Sequence, residues 1–543
     1  MKVKDLLNIT DEDELKKYRV FRALSRFNYF PNQKQAIGEL PDCFTTSSLT
    51  PEVCLRLLSG GIDNKRKNTG FAPVEYKSTR YNNIPRVLSL VHPVAHAQLC
   101  KHIYENWQDI EYISANTISR VRPEFYEVDK RIVVMNYDDP IVKDRKFNDI
   151  TFGKKYIVNA DIASCFDSIY SHSIPWAIKG YEFAKNNRGE NEWFNQFDKF
   201  LRTTKRCETN GMPIGPATSS ICLEIILARV DSRLHDLGFE HERYVDDFCC
   251  YCSTKEQADE FIIKLSELLA EYRLSLNLRK TTIIELPIAS TDDWIVELNS
   301  LCIDRYNADG DLVLIGAKEA INIINKAVFL SQSHKDGSVI KFAVGFLVKK
   351  LADTAYQDVF ECLLSLSFHY PILIPYLSIL LGRGNLEAQH YVDKFQMIIE
   401  ENALHKRSDG MAWPLHIFRE HNIEPTQEIV DRVLETKDCV AITILQDICP
   451  DNENIRQFVV DISNDLDIKK DEYWLLLYQS YLLGHINNPY RDRCFIVLKD
   501  YGVNFFKTDS RTKFEMRCDN VGAVWAFKEL EEIKQPQAKA VNI

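Results

Sequence analysis

The chain contains 543 residues, 45% of them hydrophobic, which is enough for a large buried core and for two or three domains. Its formal net charge of −11 argues against tight nonspecific binding to duplex nucleic acid, although a local groove could still hold one short strand. No run of about 18 apolar residues occurs. The acidic start around Asp11-Glu-Asp-Glu is unlike a signal peptide. We therefore predict a cytoplasmic protein without a membrane span.

The fifteen cysteines contain no pair of Cys-x-x-Cys spacings. Cys249, Cys250 and Cys252 cluster in sequence, but alternation along a strand would point neighbouring side chains to opposite faces. A structural zinc site needs four converging ligands. We therefore expect free, reduced and buried thiols in a cytosolic protein, and no zinc.

The first notable segment along the chain is basic. Residues 51–100 carry seven basic and three acidic groups, within a chain that is acidic as a whole. The segment ends in Lys77-Ser-Thr-Arg80 and Ile84-Pro-Arg86. A local cluster of this kind is either a solvated surface or a contact for an anionic ligand.

Two further segments combine a strand or helix with residues suited to ligand binding. Tyr156-Ile-Val-Asn-Ala-Asp161 predicts a β-strand that delivers Asp161, followed by a helix start. Gly211-Met-Pro213-Ile-Gly215-Pro-Ala-Thr-Ser219 predicts a loop before an apolar helix over residues 221–230. Glycine lets the backbone approach a ligand closely, because it tolerates conformations that a β-carbon forbids.

Tyr244-Val-Asp246-Asp247 lies between short β-prone runs and predicts the tip of a hairpin. Adjacent carboxylates repel each other, and a divalent cation removes that cost. Two metals held about 3.5–4 Å apart can clamp the attacking and leaving oxygens of a phosphoryl transfer. The four-residue string alone is weak evidence, since Tyr391-Val-Asp393-Lys nearly repeats it in a predicted helix.

The order of these segments is more informative than any one of them. With Leu274-Ser-Leu-Asn277-Leu-Arg-Lys280-Thr downstream, the set resembles motifs A, B, C and D of the reverse transcriptase palm, over roughly residues 75–290. The resemblance implies that two Mg²⁺ ions, with Mn²⁺ as the alternative, are held by four metal-site residues: Asp161, Ile162, Asp246 and Asp247. It also implies that Lys280 is the acid for the departing pyrophosphate.

The same resemblance implies a set of substrate contacts. Phe166 takes the position of the bulky side chain that rejects a ribose 2′-hydroxyl, so deoxynucleotides are the expected substrates. Arg80 and Arg86 match the basic fingers region that contacts the nucleoside triphosphate. Ile214 stands where retroviral reverse transcriptases usually carry Gln. The substrate-binding loop would include Ile214, Gly215 and Ser219.

A narrower resemblance concerns biological role. Gly211-x-Pro-Ile-Gly-Pro-x-Thr-Ser and Ser168-Ile-Tyr-Ser-His172 are similar to bacterial abortive-infection (Abi) and other defence-associated reverse transcriptases, as is Asn28-Tyr29-Phe30-Pro31. This resemblance implies an anti-phage, DNA-synthesising enzyme of the cytoplasm. Some members of the group work without a template and start synthesis on their own tyrosine. The alternatives are a defence reverse transcriptase that copies a bound noncoding RNA, and a degenerate palm that acts as an oligomeric scaffold or sensor.

If synthesis is protein-primed, a tyrosine on a mobile or loop-like segment must reach the metals, because its phenolic oxygen can replace a primer hydroxyl. Tyr29 is the first priming candidate, since Pro31 ends any local helix there, and Tyr18 is the second. For either residue the alternative is a packed aromatic side chain. The group's habit of forming trimers or hexamers implies a homo-oligomer, and the expected product is single-stranded DNA.

Beyond about residue 317, apolar residues recur at helical spacing. We predict helices near residues 317–332, 338–353, 355–367, 370–382, 386–402, 411–420, 425–436, 439–448, 453–464, 471–484, 491–500 and 522–533. Such a series predicts an α-solenoid. The expected fold is therefore an α+β reverse transcriptase fingers and palm over residues 1–300, with a palm core at about 150–300. An all-α, HEAT-like helical-repeat domain follows over 310–535, with a frayed tail over 536–543.

Overall fold

A computed structural model describes residues 11–31, 37–59, 64–80, 83–126, 130–134, 140–334, 338–508, 511–516 and 518–519. The amino-terminal elements are α1 (Glu12–Arg26), α2 (Pro51–Ser59), α3 (Asn64–Thr69), β1 (Val74–Thr79), β2 (Pro85–Leu90), α4 (Pro93–Glu105), α5 (Trp107–Ile110), α6 (Tyr112–Ala115) and α7 (Pro140–Thr151). The central elements are β3 (Tyr156–Asp161), α8 (Cys165–Ser168), α9 (Ser173–Lys179), α10 (Tyr181–Asn186), α11 (Trp193–Thr203), α12 (Ala217–Asp236), β4 (His241–Tyr244), β5 (Asp247–Cys252), α13 (Lys255–Glu271), β6 (Thr282–Glu285) and α14 (Asp293–Leu301).

The carboxy-terminal elements are all helical: α15 (Ala317–Ser333), α16 (Ser338–Leu347), α17 (Tyr356–Ser367), α18 (Ile374–Gly384), α19 (Val392–Leu404), α20 (Ser408–Glu420), α21 (Gln427–Thr436), α22 (Cys439–Ile448), α23 (Glu453–Ser463), α24 (Asp467–Asp471), α25 (Trp474–Leu483) and α26 (Cys494–Asp500). Short 3₁₀ turns precede α17, α18 and α19. Among the described residues, no helix is both long and apolar enough to cross a membrane.

The central sheet carries the segments that the sequence singled out. Its strand order is β4-β5-β3-β6, and every neighbouring pair is antiparallel. Helix α13 packs on β3 and β5 through Phe261, Leu265 and Leu268, which recur every three or four residues and therefore share one face. The predicted strand that ends at Asp161 and the predicted hairpin at residues 244–247 are both confirmed.

The carboxy-terminal helices form two rows. Helices α19, α21 and α23 pack in one row, and α20, α22 and α25 pack in the other, so that alternate helices become neighbours. The second row faces the β1–β2 hairpin, because α20 and α22 both contact β1. A helical repeat would produce such rows, and the HEAT-like assignment stays a prediction.

Most predicted helices lie where the sequence placed them, with local corrections. The helix predicted over 338–353 ends at Leu347, and the chain then forms a bridge between Leu351 and Ile315. The helix predicted over 471–484 is broken between α24 and α25, and the helix predicted from 491 begins at Cys494. The predicted helix 522–533 and the predicted tail 536–543 lie outside the described residues.

Buried polar contacts join the amino-terminal and carboxy-terminal parts. Arg66 donates to both carboxylate oxygens of Asp471, at 2.6 and 2.9 Å. The amide and hydroxyl of Thr79 both donate to Asp409, at 2.7 and 2.6 Å. The two parts also contribute to a single hydrophobic core. A boundary near residue 310 therefore stays a prediction about sequence organisation, and the helical part is packed against its neighbour.

Candidate active site

The end of β3 and the β4–β5 turn bring the predicted carboxylates together. Asp161 is the last residue of β3 and pairs with Asp247, the first residue of β5. The Ile162 amide then donates to the carbonyl of Asp246 at 3.2 Å. Antiparallel pairing places the side chains of opposed residues on the same face of a sheet. Asp161 and Asp247 are therefore neighbours although they are far apart in sequence.

The turn itself has an unusual backbone. Val245 has a φ of 59°, in the left-handed region that a β-branched residue rarely adopts. Such a conformation costs about 1–3 kcal/mol and persists only where the surroundings enforce it. Here Arg243 donates from Nη1 to the Val245 carbonyl at 2.7 Å, and this hydrogen bond stabilises the turn.

Burial and neighbouring negative charge both disfavour the ionised form of these carboxylates. Burial, together with the charges of Asp246 and Asp161, raises the pKa of Asp247 to about 6. Burial and the charge of Asp161 also raise the pKa of Asp246, against the opposing charges of Lys280 and Arg86. An added cation would relieve this repulsion, so the site favours a positive ligand.

The segment predicted as motif D lies against the end of β3. Asn277 donates its amide to the Asp161 carbonyl at 2.7 Å, and Ala163 donates to the Ser275 carbonyl at 2.9 Å. This arrangement brings the Lys280 ammonium into contact with the Asp161 carboxylate, and that hydrogen bond raises the pKa of Lys280. The Lys280 side chain is otherwise exposed, with 64% of its surface accessible.

The donor set fits a hard divalent cation, because carboxylate oxygens are the ligands that Mg²⁺ prefers. Asp161 and Asp247 are paired across neighbouring strands, with Asp246 in the adjoining turn, so the oxygens come from one edge of the sheet. Within the described ranges, no three His, Cys, Asp or Glu side chains converge as a ready-made ligand set. At this site the Lys280 ammonium pairs with Asp161, so metal binding would require Lys280 to move aside.

The glycine loop closes one side of the same region. Met212 donates its amide to the Phe166 carbonyl at 2.9 Å, which joins the loop to the turn after Asp161. The half-buried Ile214 accepts a hydrogen bond from the Ser89 amide at 2.8 Å and so ties the loop to β2. At Gly215, φ is 129° and a β-carbon would lie 2.6 Å from Pro31 Cγ, so only glycine fits there.

The structure separates the remaining predicted substrate contacts. Arg86 is half-buried and lies within electrostatic range of Asp246 and Asp167, while Arg80 is exposed beside it. Burial and the charge of Arg80 lower the pKa of Arg86. Phe166 is half-buried and packs on the core. Ser219 is 1% exposed, so its hydroxyl is not presented to a substrate, contrary to its predicted role.

The two priming candidates are also misplaced for their predicted role. Tyr29 is completely buried, stacks on His96 at 3.8 Å between ring centroids and bonds the Val91 carbonyl. Tyr18 is 3% exposed, and its hydroxyl contacts Cys518. Burial raises the pKa of both phenols well above the ordinary value. A priming oxygen has to reach the carboxylates, so both residues fit the alternative of packed aromatic side chains.

Sequence analysis missed a buried ionic cluster beneath the turn. The Arg243 side chain is fully buried and bonds both oxygens of Glu224, each at 2.9 Å, and Asp231 Oδ2 at 2.8 Å. His241 Nε2 lies 3.4 Å from Asp231 Oδ1. Burial raises the pKa of Asp231, but the charges of Arg243 and His241 outweigh it and leave that pKa lowered. A charged Arg within a short β-prone run was the available signal.

Comparison with known proteins gave one family match. The model for reverse transcriptase (RNA-dependent DNA polymerase) matches residues 100–304, which include β3, the glycine loop and the β4–β5 turn. This part of the chain is therefore similar to a reverse transcriptase domain. A search of curated proteins found no match.

Several solved structures show a weak likeness. Telomerase from Candida tropicalis in complex with a TWJ fragment of telomeric RNA is 14% identical, with 66% of this chain and 67% of that chain covered and a TM-score of 0.27. The apo telomerase of the same organism is 13% identical, with 66% of this chain and 69% of that chain covered and a TM-score of 0.29. The Candida albicans telomerase in complex with a TWJ fragment of telomeric RNA is 10% identical, with 69% of this chain and 67% of that chain covered and a TM-score of 0.28.

Proposed function

We propose that this chain is a DNA polymerase of the reverse transcriptase kind, which joins deoxynucleotides by phosphoryl transfer. Residues 100–304 provide the domain in which this chemistry is expected. The observation that carries the proposal is the pairing of Asp161 with Asp247 across neighbouring strands, with Asp246 in the adjoining turn. Three carboxylates at one edge of a sheet are costly unless they serve a cation.

Asp161, Asp246 and Asp247 would hold two Mg²⁺ or Mn²⁺ ions, with the backbone of Ile162 beside them. When bound, such ions stabilise the attacking and leaving oxygens of a phosphoryl transfer. In that transfer a 3′-hydroxyl oxygen bonds the α-phosphorus, the bond to pyrophosphate breaks, and the hydroxyl proton is released to solvent. The pyrophosphate leaves with the electron pair of the broken bond.

The chain's own side chains would bind and orient the nucleotide. Arg86 is proposed to contact the triphosphate because it lies within electrostatic range of Asp246 and Asp167, and Arg80 is proposed to assist because it lies beside Arg86. Lys280 is proposed to give its proton to the departing pyrophosphate after it has moved away from Asp161. Phe166 is proposed to exclude the 2′-hydroxyl, supported by its backbone link to Met212 of the glycine loop.

The biological role is proposed from motif similarity. The resemblance to abortive-infection reverse transcriptases supports an anti-phage enzyme that makes single-stranded DNA, without a template and primed by a protein hydroxyl. A noncoding-RNA-templated defence reverse transcriptase is the second candidate, supported by the same motifs. Because Tyr29 and Tyr18 are buried, a protein primer would have to be another residue. A homo-oligomeric state, trimeric or hexameric, belongs to the same proposal.

A single incorporation assay tests these alternatives. Purified protein, half of it treated with ribonuclease, is supplied with Mg²⁺ and each deoxynucleotide, and products are run on denaturing gels with and without protease digestion. Product that survives ribonuclease and shifts after protease digestion indicates template-free, protein-primed synthesis. Product lost on ribonuclease treatment indicates a bound RNA template.

Asp246→Ala is the informative variant, and Asp259→Ala is its matched control, because Asp259 is an exposed carboxylate on α13 away from the site. Asp246→Ala should abolish incorporation and Asp259→Ala should retain it. Incorporation by Asp246→Ala at the parental rate would refute the assignment of the active site. No incorporation by the parent under any condition would favour the scaffold or sensor alternative.

A further inference from the structure

A cleft of about 370 Å³ lies between the amino-terminal part and the carboxy-terminal helices. One wall comes from β1 and the loop after α11, and the other comes from the carboxy-terminal ends of α19 and α21. Six cationic residues line it; Lys77 and Lys469 lie near carboxylates of the same lining, and the other four, from both walls, are Lys205, Arg206, Lys406 and Lys437. We call this feature the basic cleft.

The charge of the basic cleft is not neutralised locally. Within the described part of the chain, no carboxylate lies within 4.0 Å of any of the four cations. The charges of two other cations in the lining are balanced by neighbouring carboxylates. Lys469 pairs with Glu472 at 2.6 Å, and Lys77 interacts electrostatically with Asp438. Only Glu75 and Glu208 remain to oppose the four cations. The cleft is thus positive in a chain whose formal net charge is −11.

The backbone at three of these cations is unusual. Arg206, Lys406 and Lys437 have φ values of 55°, 51° and 59°. This left-handed conformation favours glycine, and a side chain there costs about 1–2 kcal/mol. Lys437 follows the end of α21, where glycine is the common residue. Cations thus occupy positions where glycine would be cheaper, and they face one cleft.

The basic cleft adjoins the candidate active site. A β-carbon on Gly211 would lie 2.7 Å from Lys205 Nζ and 3.1 Å from the carbonyl oxygen of Asp167. The Lys205 ammonium therefore reaches the backbone between the glycine loop and the turn after Asp161. A strand that leaves the carboxylates past this point would enter the cleft directly.

We propose that the basic cleft binds the phosphodiester backbone of one nucleic acid strand as it enters or leaves the active site. This inference rests on the proposed polymerase function. Lysine is a compact point charge suited to phosphate, and the four cations are spread along two walls instead of converging on one phosphate group. The volume is that of a small-ligand pocket, which admits a short stretch of single strand and no duplex. Tyr473 also lines the cleft but is only 3% exposed, so its ring surface is not available for base stacking. Contact is therefore with the strand's backbone and is independent of sequence.

Equilibrium binding of full-length protein tests the proposal. Fluorescence anisotropy follows 5′-labelled oligothymidylate and oligouridylate of about twenty nucleotides at salt concentrations of about 50–200 mM, without nucleotides or divalent cation. The variant Lys406→Gln/Lys437→Gln is compared with Lys341→Gln/Lys394→Gln, which removes two exposed lysines of the same helical part outside the cleft. Both variants change net charge equally, so bulk electrostatics cancels in the comparison.

The cleft variant should bind on the order of tenfold more weakly than its control near 0.1 M salt, and its salt slope should fall by about 0.7 per lost phosphate contact. Preference for oligothymidylate identifies the product strand, preference for oligouridylate identifies a template, and equal loss identifies backbone contacts common to both. Equal affinity and slope for the two variants would overturn the proposal, as would absence of binding by the parent. Binding with these differences but without nucleotide incorporation would leave the cleft assigned and refute only the polymerase function.

Discussion

Arg243 offers the sharpest test of how the carboxylate turn is supported. The substitution Arg243→Met keeps much of the side-chain volume and removes the charge. Arg243 is fully buried and bonds Glu224, Asp231 and the carbonyl of Val245. Its loss leaves two carboxylates in the interior without their cation, although Asp231 keeps the amide of Asn116 at 2.7 Å and His241 at 3.4 Å.

The magnitude follows from the cost of an uncompensated buried charge. Breaking a buried ion pair by removing one partner costs about 3–5 kcal/mol, whereas replacing the whole cluster with apolar residues is often neutral. We therefore expect Arg243→Met to lower the free energy of unfolding by about 3–5 kcal/mol. The triple variant Arg243→Met/Glu224→Leu/Asp231→Leu should recover most of that loss. Nucleotide incorporation should fall in both variants, because the Val245 carbonyl loses its donor.

Urea denaturation followed by circular dichroism at pH 7 and pH 4 measures these differences. The pKa of Asp231 is lowered in the folded parent, so its ionic contribution is present above the ordinary carboxyl pKa and is lost as pH falls through the lowered value. The loss in free energy of unfolding caused by Arg243→Met should therefore be smaller at pH 4, where the unpaired carboxylates can take up protons. A deficit below about 1 kcal/mol at pH 7, or a triple variant no better than the single one, would refute the reasoning.

Three further outcomes are expected. Asp247→Asn should stabilise the metal-free protein at pH 8 by on the order of 1 kcal/mol after allowance for solvent exposure, and not at pH 4. The reason is that the raised pKa of Asp247 makes the stability of the parent fall as pH rises from about 4 to about 6. Thermal melts of parent and variant at pH 4 and pH 8 measure this, and the same stability difference at both pH values would refute it. Phe166→Ala should admit ribonucleotides in a competition assay, and undiminished discrimination would place the sugar gate elsewhere. Asp409→Ala should cost about 1–3 kcal/mol in urea denaturation, because three buried donors from Thr79 and Gly410 lose their acceptor, and an unchanged midpoint would contradict this.

Local pattern was sufficient for the strands that carry the three carboxylates and for most of the helices. Short β-prone runs before Asp161 and on either side of residues 244–247 predicted the strand and the hairpin, because residue type and turn chemistry are local properties of the chain. Helical spacing after residue 317 predicted nearly every carboxy-terminal helix for the same reason. The ends of those helices were less accurate, as at Leu347, because bridges such as Leu351 to Ile315 depend on residues far apart in sequence.

Side-chain environment followed a different rule. Tyr29 lies two residues before Pro31 in a segment that suggested a loop, yet the tertiary structure stacks it on His96 and buries it completely. Ser219 was expected at a substrate surface and is enclosed at the start of α12. Neither outcome is encoded in neighbouring residues, since burial is the sum of contacts from every part of the fold.

The sequence by itself determined the order of the motifs, the strand that presents Asp161 and the helical character of the second half, because these depend on periodicity and turn chemistry within a few residues. Only the tertiary structure decided that Arg243 holds the Val245 turn through Glu224 and Asp231. It also decided that Lys205 and Lys437, from opposite walls, line one cleft. Charges separated by hundreds of residues interact only after packing sets their distance and removes water between them, which no local pattern specifies.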